Sequence, residues 1–154
     1  MFRKKHLKWE NGFVFGEMLS DSRRYAGATL SGYNEFRMYS AQVLDHFQNP
    51  RNAGEVPNAD ARVQIENPAC GDVLELTAKI ANERLLEIRF RAKGCVSAMA
   101  CSSALTEMVA GKTVREAREL TRDELLERVG GLPEASAHAA YLAMDALQAL
   151  LRKA

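Results

Sequence analysis

Between Ala61 and Ala92 apolar and polar residues alternate in three consecutive stretches, and a chain patterned in this way has few folds open to it. "ARVQIEN" sets Val63 and Ile65 against Arg62, Gln64 and Glu66. "VLELTAKIA" places Leu74, Leu76, Ala78 and Ile80 on one face. After a turn near Asn82, "LLEIRFRA" places Leu86, Ile88 and Phe90 on one face and Glu87, Arg89 and Arg91 on the other. Period-two patterning predicts half-buried strands, and short connections between them predict an antiparallel meander with a wet outer face. Helical signals follow. Alanine-rich "SAMACSSALTEMVAG" stops at Gly111, and "TVRE" (113–116) and "TRDE" (121–124) have the Thr-x-x-Glu spacing of a capping box. "GGLP" (130–133) breaks the chain. From about Glu134 to Arg152, Leu142, Ala146 and Leu150 recur at helical spacing, with Ala139, Ala143 and Leu147 alongside. Upstream, "YSAQVLDHF" reads as a short helix with Ser40 as N-cap and Val43, Leu44 and Phe47 on one side. "QNPRNAGEVPNAD" is loop by its Asn, Pro and Gly. Strands first and helices afterwards is the α+β order: a three-stranded antiparallel sheet with helices packed on one face.

Composition narrows the function. The chain's 154 residues suit one core, and 47% hydrophobic with 27% charged residues is a globular balance. A net charge of +1 supplies no field for nucleic acid or membrane, and no apolar run approaches the roughly 20 residues of a bilayer span. Cys70, Cys95 and Cys101 do not make a disulfide framework, which suits a reduced, cytoplasmic setting. There is no nucleophile–base pair other than the thiols and no phosphate-binding glycine loop, so an enzyme is not expected. Residues 1–37 begin with basic residues but lack the apolar core and cleavage site of a secretory signal. Glu10, Glu17, Asp21 and Glu35 argue against a transit peptide, and Gly12, Gly16, Gly27 and Gly32 interrupt any helical period. The expectation is a loosely ordered extension over 1–37 ahead of a domain over 38–154, with Met38 as the natural start.

The residues that carry chemistry are few. "NPACGDV" sets the thiol of Cys70 two positions before the carboxylate of Asp72, and Gly71 between them permits both to turn towards one point. Cys95 follows Gly94 at the end of the third strand, where a helix N-terminus favours thiolate. His138 opens the last helix among small residues. Taken singly each has an ordinary explanation: a cysteine packs in a core, an aspartate caps a turn, a histidine is solvated. Cys101 lies well off the face of Cys95 at about 100° per residue, so core packing is its first reading. No C-x-x-C pair is present, as a zinc finger would want. Spacing alone reaches only a small α+β domain in which a mixed Cys/Asp/His site is one option.

The particular strings go further. "YSAQVLDHFQNPRNAG", "PACGD", "KGCVSA", Ser102–Ser103 with Thr106–Glu107, and Gly111–Lys112 occur here in one order. From about Tyr39 to Arg152 the chain resembles the IscU/NifU N-terminal family of iron–sulfur cluster assembly scaffolds. The interval from Cys95 to His138 leaves no room for the inserted segment of the SufU-type branch, so the likeness is to the IscU-like branch. The resemblance implies a transient [2Fe–2S] cluster, or Zn²⁺ in its place, held by Cys70, Asp72, Cys95 and His138. It implies as partners a cysteine desulfurase and iron–sulfur acceptor or carrier proteins. The family's third cysteine, which also receives persulfide sulfur, should be residue 139, and this chain has Ala139. Cys101 stands where the family usually has serine, which makes it a possible substitute thiol. The chaperone-recognition string Leu-Pro-Pro-Val-Lys is here "LPEAS" (132–136), which leaves docking to an Hsc-type chaperone unsupported. A modified scaffold is the first expectation. An adaptor or regulator of a cysteine desulfurase and a structural zinc-binding domain are the alternatives.

Overall fold

The structure, a computed structural model, describes residues 38–154; the expectation of loose order over 1–37 lies outside that range. Along the chain run α1 (Ala41–Gln48), β1 (Ala61–Glu66), β2 (Val73–Ala81) and β3 (Arg84–Lys93). They are followed by α2 (Val96–Val109), α3 (Val114–Glu119), α4 (Arg122–Arg128), a 3-10 turn at Glu134–Ser136 and α5 (His138–Arg152). The strands form one antiparallel sheet in the order β1-β2-β3. Ser40 caps α1, and Thr113 and Thr121 build complete capping boxes on α3 and α4. Each such cap contributes about 1 kcal/mol. Among the described residues no helix is long and apolar enough to cross a membrane.

Helices α2 and α5 pack on the sheet face that carries Leu74, Leu76, Ala78, Ile88 and Phe90. Leu105, Leu147 and Leu150 complete that core and are fully buried with them; each large side chain contributes about 2 kcal/mol by leaving water. Helix α2 is buried almost all round, Ser97, Ser102, Ser103 and Thr106 included. Small and short polar side chains on every face suit a helix enclosed by other elements.

The second face of the sheet is only partly wet, where the alternation implies exposure throughout. Glu75 and Thr77 on β2 are only 7% and 1% exposed. The loop after α1 covers them: the Val56 N–H donates to Thr77 Oγ1 at 2.9 Å. The Glu55 carboxylate pairs with both Arg62 and Arg91, while Glu75 meets Arg62 Nη1 at 3.3 Å and Arg91 Nη1 at 3.5 Å. Alternation reports polarity rather than exposure, and this charged layer is tolerated under a loop because each acid meets arginines.

Phase also changes within the β2–β3 hairpin. Asn82 and Glu83 have φ of 51° and 58°, the left-handed pair of a two-residue type I′ turn. Pairing then runs Ile80↔Leu85 and Lys79↔Glu87, with a register shift between Lys79 and Ile80. Leu86 is the extra residue of this bulge. It is 55% exposed, while Leu85 is fully buried. Leu86, expected on the inner face, therefore points away from it.

The outer edge of β3 is occupied. Phe90 exchanges backbone hydrogen bonds with Asn52 and Gly54, and Glu83 and Leu85 bond to the segment Gly111–Val114. On β1, Lys153 Nζ donates to the Arg62 carbonyl at 2.7 Å.

In α1 the inner position expected for Leu44 is only half-buried, and His46 is buried beside Val43 and Phe47. His46 Nδ1 lies 2.8 Å from Ser103 Oγ, which also accepts the Arg51 N–H at 2.8 Å. His46 Nε2 is 3.7 Å from Glu107. Burial, aided by the charge of Arg51, holds the His46 pKa below its ordinary 6.5, against the pull of Glu107. On acidification through 6.5 the unfolded chain takes up this proton before the folded one does, so stability falls with pH until the depressed folded value is passed. Melts between about pH 8 and about pH 5 should show a smaller pH-linked loss for His46→Gln than for wild type.

Candidate metal centre

The loop between β1 and β2 is held by its own hydrogen bonds. Asn67 Oδ1 accepts the Ala69 N–H at 3.0 Å, the Gly71 N–H donates to the Asn67 carbonyl at 2.8 Å, and the Asn67 N–H donates to the Asp72 carbonyl at 2.8 Å. Gly71 has φ of 73°, a left-handed conformation that glycine adopts without a Cβ penalty. The outcome is an exposed Cys70 and a buried Asp72, 5% accessible, at the threshold of β2.

Because Val73 pairs with Lys93, the end of β3 arrives beside that threshold. Cys95 is the N-cap of α2, its Sγ accepting the Ala98 N–H at 3.4 Å. The Cys95 thiol donates to Asp72 Oδ2 at 3.5 Å. From the other side His138, the first residue of α5, brings Nε2 to 3.5 Å from the same oxygen. Donor atoms of Cys70, Asp72 and His138 all lie within 4.8 Å of one another, and Cys95 joins this group through Asp72.

Burial pushes the Cys95 thiol pKa up, the Ala98 N–H opposes that shift, and the Asp72 carboxylate reinforces it. A metal taken up here must displace the Cys95 proton, so its affinity should rise with pH. Cys101 is not brought into the group. It is fully buried within α2, and burial, with a lesser effect from Cys95, pushes its pKa up to about 12. Ala139, next to His138, is 1% exposed. Two thiols, an imidazole and a carboxylate are the donors of a transition metal rather than of Mg²⁺ or Ca²⁺.

Residues 38–153 match the family described as NifU-like N terminal domain. The chain belongs to that family. The iron–sulfur cluster assembly scaffold protein IscU 1 of Archaeoglobus fulgidus is 47% identical over 111 residues, 72% of each chain. The Escherichia coli K12 iron–sulfur cluster assembly scaffold protein IscU is 41% identical over 117 residues, covering 73% of this chain and 91% of its own. A crystal structure of a nitrogen-fixing NifU-like protein (N-terminal) from Brucella abortus superposes with a TM-score of 0.61 at 21% identity, over 75% of this chain and 93% of that one. The α+β expectation is thus a NifU-like fold, and within this NifU-like domain the four donors share one end of the sheet. Sequence reasoning missed His46, whose burial depends on a serine in a distant helix. A histidine in the inward phase of α1 was the available signal.

Proposed function

We propose that this protein is a scaffold on which a nascent [2Fe–2S] cluster is assembled and from which it is passed on, the cluster being cargo. The observation that supports this most is the meeting of Cys70, Asp72 and His138 within 4.8 Å, with Cys95 linked through Asp72. Cys70 and Cys95 bind as thiolates, and Asp72 and His138 complete four donors. Imidazole can replace thiolate on cluster iron, and a hard carboxylate makes an easily exchanged ligand, which suits delivery. The same set satisfies a tetrahedral Zn²⁺, so zinc is the alternative occupant. A cysteine desulfurase supplies the sulfur and carrier or acceptor proteins take the cluster away; the scaffold itself is not an enzyme. Ala139 leaves the site one thiol short of the family pattern, and Cys101, neutral and enclosed, does not replace it.

The test is anaerobic reconstitution with iron, sulfide and a catalytic desulfurase, followed by metal and acid-labile sulfide analysis and an absorption spectrum. Iron and sulfide in near-equal amounts with visible charge-transfer bands are expected. Zinc alone, or no metal, would overturn the scaffold reading.

A further inference from the structure

We infer that Gly94 is a positioning residue for Asp72: it leaves the space in which the carboxylate stands between Cys95 and His138. A Cβ at residue 94 would lie 2.5 Å from Asp72 Oδ1, 2.6 Å from Cγ and 3.0 Å from Cβ, distances that require one side to move. Gly94 is not among the glycines with positive φ, so its backbone does not require glycine. The requirement comes from the aspartate. The two carboxylate oxygens divide the work: Oδ1 rests against Gly94, and Oδ2 stands 3.5 Å from both Cys95 Sγ and His138 Nε2. Asp72 is buried and short; turning its carboxyl away from a Cβ at 94 moves Oδ2 off that point, and the 3.0 Å approach to its own Cβ, which no side-chain torsion relieves, shifts the residue as a whole. A side chain at residue 94 therefore displaces the hard donor from the set.

This rests on the reading of the four donors as a metal site, and its test keeps the two separable. Gly94→Ala, Asp72→Gly and the double variant are compared with wild type in Zn²⁺ affinity, by competition with a chromophoric chelator, and in the Co²⁺ spectrum. Gly94→Ala should weaken Zn²⁺ by about tenfold or more. It should keep the thiolate-to-Co²⁺ charge-transfer intensity while shifting the d–d bands to those of Asp72→Gly. In the Asp72→Gly background, where the clashing atoms are gone, adding Gly94→Ala should weaken Zn²⁺ no further.

The same cycle is read on metal-free protein as melting temperature. Gly94→Ala should lower it in the wild-type background and leave it unchanged or raise it with Asp72→Gly, since Gly→Ala at a compatible backbone site otherwise stabilises. Wild-type Zn²⁺ affinity in Gly94→Ala, or equal losses in both backgrounds, would overturn the role of Gly94. A wild type that takes up no metal would overturn the metal-site reading, and the metal-free cycle would still decide whether Gly94 makes room for Asp72.

Discussion

Cys95→Ala is expected to abolish cluster retention and to lower stability, whereas Cys95→Ser should abolish retention while leaving stability near wild type. The distinction follows from two duties of one sulfur. Cys95 Sγ caps α2 by accepting the Ala98 N–H and stands 3.5 Å from Asp72 Oδ2. Serine is a strong N-cap, but its hydroxyl is not a soft iron ligand at neutral pH. Alanine is neither, and loss of the cap costs about 0.5–1 kcal/mol, or a melting shift of about 4 °C for a domain of this size. Cys70 is exposed and caps nothing, so Cys70→Ala should lose the cluster at no cost in stability. Iron and sulfide per chain after anaerobic reconstitution, with melts of the metal-free proteins, separate these outcomes. Full cluster in both alanine variants would remove the thiols from the proposed site.

The other large effect lies at two adjacent leucines. Leu85→Ala should cost about 2–5 kcal/mol, the range for deleting a buried leucine side chain. Leu86→Thr should change stability by less than about 0.5 kcal/mol, as an exposed substitution does. Chemical denaturation of both variants checks this. A hairpin with uninterrupted alternation would reverse the order, since Leu86 would then share a face with Ile88 and Phe90. The bulge opposite Lys79 and Ile80 moves Leu85 inward instead.

That pair shows where sequence reasoning succeeded and where it stopped. Ser40, Thr113 and Thr121 were legible because a cap is a local event, settled within one turn of helix. Three strands were legible because alternation persists over many residues, and α5 because Leu142, Ala146 and Leu150 repeat without interruption. The bulge was not, since one extra residue changes phase without altering composition. Glu75 and Thr77 read as surface because the loop that covers them is distant in sequence. At the candidate site the Cys-Gly-Asp turn and the strand-end placement of Cys95 were visible as words. The approach of His138 to Asp72 depends on packing α5 against the sheet, and the function of Gly94 depends on an aspartate across the hairpin. Neither has a local signature.

The way the two rims of the sheet are finished has a consequence for crowding. With β3 bonded on its flank at Leu85 and Phe90 by residues 52–54 and 111–112, the freer of the two described rims is that of β1. That strand has just six residues, Arg62 and Glu66 place opposite charges on it, and Lys153 occupies the Arg62 carbonyl. Short, charged and partly plugged borders disfavour strand-to-strand stacking. Neither described rim is therefore a ready template for edge-to-edge stacking of a second copy, and concentrating the protein should not seed filaments through the sheet edges of residues 38–154.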